Sequence, residues 1–352
     1  GPSTLRLSIG NGAEVVDFAV PSISPATTFS YEHTTALPAS AGYVDTATAD
    51  LNGDVAEDDE TNNVLAPGPY TVVPHQVYTV NSINDADDGT CNILHCSLRE
   101  AINASNLKIG KDLIAFNIDG LGPHVIQPTS ALPTLTDRTA IDGTTEPDFV
   151  LGLVTTPPIV LDGSSAGFGN TGLTIDAGLS HILGLFIHSF DGPGMWINDS
   201  PGTYVLDNVI SGNGTYALNI EGANATGNIV QGNLIGTNVT GDAALPNGPG
   251  VRIANASNNT IGGSLASERN VISGNNTYGV AVSGVTSSDN TIQGNYIGID
   301  VSGSSAIGNG SHGVWIIDAA QTNVIDNVVS GNDSVGVLII DSATGTMVQG
   351  NF

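Results

Sequence analysis

The chain has 352 residues, and 34 Asp and Glu against 7 Lys and Arg give it a formal net charge of -27. So acidic a chain cannot neutralise the phosphates of a nucleic acid, and an anionic membrane surface would repel it. The sequence has no run of about 18 apolar residues to span a bilayer. A hydrophobic content of 40% argues against disorder. These values exclude nucleic-acid binding and membrane insertion and predict a folded protein.

The first 65 residues contain short alternating segments and a strongly acidic stretch. Alternation over 5–9, 15–20 and 43–49 predicts short strands. Asp50, Asn52 and Asp54 then place oxygen ligands at alternate positions, which suits Ca²⁺. We predict either a calcium site or a solvated acidic turn here.

Residues 77–118 are predicted to form a strand, a polar loop, a helix and a second strand. The loop carries Asp85, Asp87 and Asp88, which make a second candidate calcium site with the same alternative. Neither loop has the Glu that an EF-hand places at position 12. No other cofactor is predicted. Ser97 and Glu100 form a capping box that begins a short amphipathic helix. We expect this helix to cover the hydrophobic end of the fold that follows.

Cys91 and Cys96 are the only two cysteines. Their close spacing is compatible with a short-loop disulfide in an oxidising compartment, or with a reduced pair. The disulfide is the favoured alternative, and it agrees with a secreted or cell-surface protein.

The second half repeats. The tripeptide Ser-Gly-Asn ends at Asn213, Asn275 and Asn332, and a small residue followed by alternating apolar residues begins six coils. The coils begin at Gly194, Ala217, Gly250, Gly279, Gly313 and Gly336. Alternation with a period of two indicates strands, and coils too short for a crossover helix indicate a parallel β-helix.

Asparagine recurs in a second register of the coils. We predict a stacked structural ladder at one turn, because Asn tolerates left-handed backbone and hydrogen-bonds to its neighbours; a row of amides that binds sugars is the alternative. Its members are Asn208, Asn233, Asn270, Asn295, Asn327 and Asn351.

The last two coils place apolar side chains on the outward face. Trp315, Ile317, Leu338 and Ile340 would form one contiguous apolar patch, which usually marks an interface. We expect a protein partner on this patch, either a second copy or another cell-surface protein. A glycan stacked on Trp315 is the alternative. Phe352 lies at an unpaired coil end, a template for further pairing.

Catalytic candidates are few. Asp318 and Asp341 occupy one register on adjacent coils, about 4.8 Å apart in backbone spacing. Such a pair is either two stacked turn residues, which we favour, or the two carboxyls of a glycosidase. Arg252 and Arg269, the arginines of the coils, fall in different registers, which disfavours a lyase.

Two segments resemble known families. Cys96-Ser-Leu-Arg-Glu-Ala-Ile102, with YTVNSINDADDGTC before it and the GNYIG and NVISGN phrases after it, resembles the CSLREA-type bacterial secreted β-helix proteins. Asp50-Leu-Asn-Gly-Asp54 and the acidic residues after it resemble the end of a CARDB-type immunoglobulin-like adhesion module. The resemblance implies a pectin-lyase-like fold and a secreted or surface location, and it implies no defined reaction.

The sequence therefore predicts an all-β protein in three parts. Residues 1–66 form a partial immunoglobulin-like β-sandwich, residues 67–120 an N-terminal cap with a short helix, and residues 121–352 a right-handed parallel β-helix. We expect a secreted, non-enzymatic structural or adhesive protein that associates with itself, even as filaments. The alternative is a polysaccharide-binding or polysaccharide-degrading protein that uses Asp318 and Asp341.

Overall fold

The computed structural model describes residues 76–150 and 157–352, and also the backbone of four strands nearer the N-terminus. Contacts divide the chain into two units, Gly1–Pro74 and His75–Phe352, a boundary later than the predicted one at residue 66. The strands of the first unit form one antiparallel sheet, in the spatial order second, first, third, fourth. They are Ser3–Ile9, Glu14–Val20, Gly42–Thr48 and Gly68–Thr71. The remainder of the predicted immunoglobulin-like module, with Asp50, Asn52 and Asp54, lies outside the described residues.

Three parallel sheets make up the second unit, and we number them in the order in which each full coil visits them. Sheet 1 has seven strands: Leu173–Ile175, Met195–Asn198, Leu218–Glu221, Val251–Ala254, Val280–Ser283, Val314–Ile317 and Val337–Ile340. Sheet 2 has ten: Val77–Val80, Asp112–Phe116, Thr139–Asp142, His181–Leu183, Tyr204–Leu206, Ile229–Gln231, Thr260–Gly262, Thr291–Gln293, Asn323–Ile325 and Met347–Gln349. Sheet 3 has eight: His124–Ile126, Ile159–Asp162, Leu185–His188, Val209–Ile210, Leu234–Ile235, Val271–Ile272, Tyr296–Ile297 and Val328–Val329.

Each coil passes through the sheets in turn and returns one strand further along. Residue pairing is in register throughout; in sheet 1, for example, Met195 faces Leu218 and Leu218 faces Val251. The inward residue of each strand therefore stacks on its equivalents above and below. Val205, Val230 and Ile261 form one such stack, and all three are fully buried. The parallel β-helix predicted from the alternation is confirmed.

One helix covers the first strands of sheet 2. It spans Leu98–Asn106 and begins at the predicted capping box, in which the Ser97 side chain accepts the Glu100 N–H and the Glu100 carboxylate accepts the Ser97 N–H. Leu98, Ala101 and Ile102 are buried. At nine residues it is the longest described helix, so within the described ranges no helix reaches the length that a membrane span requires. The others are Pro147–Val150 and the 3₁₀ turns Gly143–Thr145, Gly163–Ser165 and Ala266–Glu268.

Buried asparagines line the turns between the sheets. In the predicted register, the Asn208 side chain donates to Asn233 Oδ1 at 3.2 Å, and the same bond recurs, at 2.9–3.0 Å, along Asn233, Asn270, Asn295, Asn327 and Asn351. A second ladder joins Asn213, Asn247, Asn275, Asn309 and Asn332, and a third joins Asn228, Asn259 and Asn290. These amides bond to one another and to backbone inside the protein, where they satisfy buried polar groups.

Candidate functional site

The outer face of sheet 1 brings together most of the outward residues that the sequence analysis discussed. One row follows the second residue of each of the last six strands, in register from coil to coil. Its members are Trp196, Asn219, Arg252, Ala281, Trp315 and Leu338. A second row follows the fourth residue of each strand: Asn198, Glu221, Ala254, Ser283, Ile317 and Ile340. We call these two rows and the residues that stack on them the sheet 1 face.

A polar group lies in the middle of the sheet 1 face. The Arg252 guanidinium is 3.2 Å from Glu221 Oε2 and donates to Asn219 Oδ1 at 3.0 Å. The Asn219 amide donates to Glu221 at 2.9 Å, and this closes the triangle. The Tyr216 ring lies under the guanidinium, 5.3 Å from its carbon to the ring centroid, which is cation–π distance.

An aromatic group lies further along the same face. The Trp315 indole stacks on the Tyr278 ring with centroids 4.7 Å apart and planes 16° from parallel. The other neighbour of Tyr278 is His312, at 5.8 Å and 15°. The Gly250 N–H donates to the Tyr278 carbonyl, and the Gly279 N–H donates to the His312 carbonyl. Tyr278 and His312 therefore occupy equivalent positions, each two residues before a strand of sheet 1.

The predicted apolar patch is partly buried. The structure places Trp315 beside Leu338 and Ile317 beside Ile340 on adjacent strands, and all four side chains are partly buried. Tyr278 packs against the Trp315 ring and covers part of it, and a partner on the rest of the patch stays a prediction. Phe352 is 86% exposed, and its backbone pairs with Asn327 and Val329.

Asp318 and Asp341 lie at the edge of the sheet 1 face, directly after the last two strands. Both have left-handed backbone, with φ of 54° and 58°. The Ser342 N–H donates to Asp318 Oδ1 at 3.2 Å, and Asp199, left-handed at the equivalent turn, accepts the Asn224 N–H at 2.8 Å. The Asp318 carboxylate therefore holds a turn, the bond that short polar side chains favour at such positions.

The structure separates the carboxylates of the second predicted calcium site. Asp85 forms a two-bond ion pair with Arg99, at 2.9 Å for each bond, and also accepts two hydrogen bonds from Thr129. Asp87 accepts from Asn103, and Asp88 from the backbone of Thr90. These partners already hold the oxygens of Asp85, so a cation at this loop would have to displace Arg99 or Thr129, and the calcium site stays a prediction.

The two cysteines form a disulfide, Cys91–Cys96, beside the capping helix. A cleft of about 530 Å³ lies next to it and is lined in part by Tyr78, Ile93, Leu94 and Asp119. Its lining brings no cluster of catalytic groups together, whereas the sheet 1 face combines aromatic and charged side chains. We therefore take the sheet 1 face as the candidate site.

Comparison with known proteins agrees with the fold. A family model described as "Right handed beta helix region" matches residues 165–309 and gives the coils their hand. A comparison with curated proteins found no match.

Three solved structures are similar to the chain. The periplasmic alginate epimerase has 16% identity and a TM-score of 0.37, over 66% of this chain and 57% of its own length. The A-module of the Azotobacter vinelandii mannuronan C-5 epimerase has 15% identity and a TM-score of 0.41, over 72% and 82%. A pectate lyase has 13% identity and a TM-score of 0.35, over 77% and 79%.

These neighbours correct the expectation of a non-enzymatic protein, because all three are polysaccharide-modifying enzymes. At such identities the likeness shows the fold and assigns no reaction to this chain. The match also spans just over half of the periplasmic epimerase. Nothing in these comparisons supports self-association.

Sequence reasoning missed the partners of Arg252 and Trp315. It considered Arg252 as an isolated base and Trp315 as part of an apolar patch. The missing signal is in the repeat: Tyr278 follows Tyr216 by 62 positions, the same step that separates Asn213 from Asn275. Both tyrosines stand two residues before a strand of sheet 1, one coil before the side chain that they contact.

Proposed function

We propose that the sheet 1 face binds a polysaccharide, and that the protein is an extracellular polysaccharide-active β-helix. The observation that carries this proposal is the pairing of the Trp315–Tyr278 stack with the Arg252–Glu221–Asn219 group on one continuous sheet. Sugar rings present apolar C–H faces that pack on aromatic rings, and hydroxyls that bond to amides, carboxylates and guanidinium groups.

The charge of this face favours a neutral polysaccharide over a polyuronate. Arg252 is the one Lys or Arg among the outward positions of sheet 1, and its charge is already balanced by Glu221. Asp318 and Asp341 add negative charge at the edge, and the whole chain has a net charge of -27. A polyanionic chain approaching this face would meet repulsion.

The Cys91–Cys96 disulfide supports the extracellular part of the proposal. Disulfides persist in oxidising compartments and are rare where thiols are kept reduced. Extracellular polysaccharides are extended chains, and a long, rigid sheet can bind several of their sugar units at once.

Affinity electrophoresis through gels that contain soluble polysaccharides tests the proposal. A neutral β-glucan or mannan should retard the protein, whereas alginate and pectate should not. Trp315→Ala and Arg252→Ala should each reduce the retardation. The matched control is Tyr204→Ala, because Tyr204 is a partly buried ring that contacts the His181 ring, with centroids 4.7 Å apart, but lies on sheet 2. Equal retardation of all variants, or retention by polyuronates alone, would refute the assignment.

The same mixtures report whether the bound polymer is altered. Chain length by size-exclusion chromatography and new reducing ends detect hydrolysis, and absorbance of unsaturated sugars detects elimination. A fall in chain length would establish an enzyme, and retardation without any change would leave a binding protein with the same site.

A further inference from the structure

One histidine and two carboxylates converge away from the sheet 1 face, at the first coils of the β-helix. His124 begins the first strand of sheet 3, Glu146 follows a 3₁₀ turn, and Asp148 lies in the first turn of the short helix after it. His124 Nε2 is 3.7 Å from Glu146 Oε1 and 3.7 Å from Asp148 Oδ2. The three ligand atoms all lie within 4.8 Å of one another.

The cluster is buried, and one of its atoms has no hydrogen-bond partner. The side chains of His124 and Glu146 are only 6% and 2% exposed, and that of Asp148 is 15% exposed. His124 Nε2 is a buried nitrogen with no hydrogen bond in the structure. Such an atom is costly to bury and is rare without a reason.

The carboxylates are held in place by backbone. The Ile118 N–H donates to Glu146 Oε2 at 3.1 Å, and the Gly122 N–H donates to Asp148 Oδ2 at 2.7 Å. These bonds fix both groups, so that Glu146 Oε1 and Asp148 Oδ2 both lie 3.7 Å from the unpartnered nitrogen.

We propose that His124, Glu146 and Asp148 form a binding site for a divalent transition-metal ion, with Zn²⁺ the best match. One imidazole and two carboxylates are a donor set that Zn²⁺ uses, with bonds of about 2.0–2.2 Å. Tetrahedral ligands at that bond length lie about 3.4 Å apart, close to the 3.7 Å observed here. Ca²⁺ takes six to eight oxygen ligands, so that this site disfavours it.

The bound ion would join separate parts of the first coils. It would connect the His124–Ile126 strand of sheet 3 to the turn and helix at 143–150, which follow a strand of sheet 2. We therefore expect a stabilising role that is independent of polysaccharide binding.

A second cluster in the described residues provides the control. Asp88, His95 and Glu100 also form a group of three possible ligands. The Glu100 carboxylate, however, already accepts the N–H groups of Ser97 and Asp88, at 2.8 Å and 2.7 Å, and lies 3.0 Å from His95 Nδ1. The Ser97 bond is that of the helix cap, and each oxygen of Glu100 already accepts a backbone N–H, unlike Glu146 Oε1, so we expect His95→Gln to leave Zn²⁺ binding unchanged.

Zn²⁺ titration of chelator-treated full chain by calorimetry tests the site, with the thermal midpoint and the visible spectrum of the Co²⁺ form as further readouts. We expect one equivalent of Zn²⁺, a higher midpoint in Zn²⁺ than in equal Ca²⁺, and a tetrahedral Co²⁺ spectrum. Asp148→Asn keeps the shape of a partly exposed side chain and should still fold. Loss of a residue that only supports a metal ligand weakens binding roughly 10–100-fold. Asp148→Asn changes a ligand itself, so it should weaken Zn²⁺ binding at least that much.

His124→Gln should abolish the binding, with circular dichroism as the check on folding. Absence of Zn²⁺ binding in the wild type would overturn the proposal, and so would binding that survives in Asp148→Asn but is lost in His95→Gln. Either result would leave His124 as an ion-paired histidine between two carboxylates. Polysaccharide retardation is read separately, so that failure of this site does not bear on the sheet 1 face.

Discussion

The Trp315 ring lies parallel to the Tyr278 ring of the preceding coil, 4.7 Å away. Arg252 has the same relationship to Tyr216 one pair of coils earlier, at 5.3 Å. Two coils separate Tyr216 from Tyr278, and two coils separate Arg252 from Trp315. The arginine and the tryptophan therefore occupy equivalent positions, each over a tyrosine. A face with this alternation offers one site for an apolar sugar face and one for hydroxyls.

The first prediction concerns the aromatic stack. Trp315→Ala should weaken polysaccharide binding by about 1 kcal/mol, roughly fivefold, because it removes the stacking surface. Trp315→Phe should recover part of the affinity, since it restores a ring on Tyr278. Calorimetry with the retarding polysaccharide measures both values. Identical affinities for the alanine variant and the wild type would contradict this role of Trp315.

The second prediction concerns the Asn208–Asn351 ladder. Asn270→Ala removes bonds to Asn233, Asn295 and the Val230 carbonyl, and leaves buried groups unsatisfied. We expect a loss of about 1–3 kcal/mol for each unsatisfied group. Asn351→Ala should cost less, because Asn351 is only partly buried and water can replace its bonds. Urea unfolding midpoints compare the two; equal costs would contradict the dependence on burial.

A third prediction concerns the Asp85–Arg99 ion pair in the predicted calcium loop. Burial acts to raise the pKa of Asp85, but hydrogen bonds from Arg99 and Thr129 and the Arg99 charge outweigh it and lower the pKa. The stabilisation is thus present above the unfolded pKa of about 3.9 and is lost as the pH falls through the lower folded pKa.

Asp85→Asn should destabilise the fold by about 3 kcal/mol at neutral pH, because it leaves Arg99 without its charged partner. Asp87→Asn is the control, since Asp87 is exposed; it should change stability by no more than about 0.5 kcal/mol. Chemical denaturation with Ca²⁺ and then with chelator should give the same value for the wild type. A Ca²⁺-dependent midpoint that Asp85→Asn abolishes would support the calcium site.

The fourth prediction is a pH dependence at His188. Burial lowers the pKa of His188, although Asp162, 3.9 Å away, acts in the opposite direction. The unfolded state then binds a proton more readily, so that stability is full above about pH 6.5 and falls as the pH drops toward the lower folded pKa. His188→Gln should flatten the unfolding free energy in this window, and Asp162→Asn should steepen it. A wild-type curve as flat as that of His188→Gln would contradict the shift.

The fifth prediction separates turn chemistry from catalysis at Asp318 and Asp341. Asp318→Asn keeps an oxygen for the Ser342 N–H and the tolerance of Asn for left-handed backbone, so the fold should survive. If the pair hydrolyses the polymer that the wild type cleaves, either Asn variant should lose turnover while retaining affinity. Unchanged turnover in both variants would assign them to the turns alone.

Some of this architecture follows from local pattern. Alternation of period two at the start of each coil predicts strands, their inward faces and the stack of Val and Ile, because a one-residue shift would expose every core side chain. The capping box at Ser97 and Glu100 likewise predicts the start of the helix, since both hydrogen bonds form within four residues.

Other features depend on contacts between coils, which no local pattern specifies. The partner of Asp85 is Arg99, fourteen positions away, so spacing alone suggested calcium where the fold supplies a guanidinium. Trp315 contacts Tyr278, and His124 lies near Glu146 and Asp148. These residues are distant in sequence and lie side by side only because neighbouring coils stack. The sequence by itself determines the β-helix and its core, because each coil must bury one face. The tertiary structure decides which polar and aromatic side chains come into contact, because the distances between these side chains depend on how the loops between strands fold.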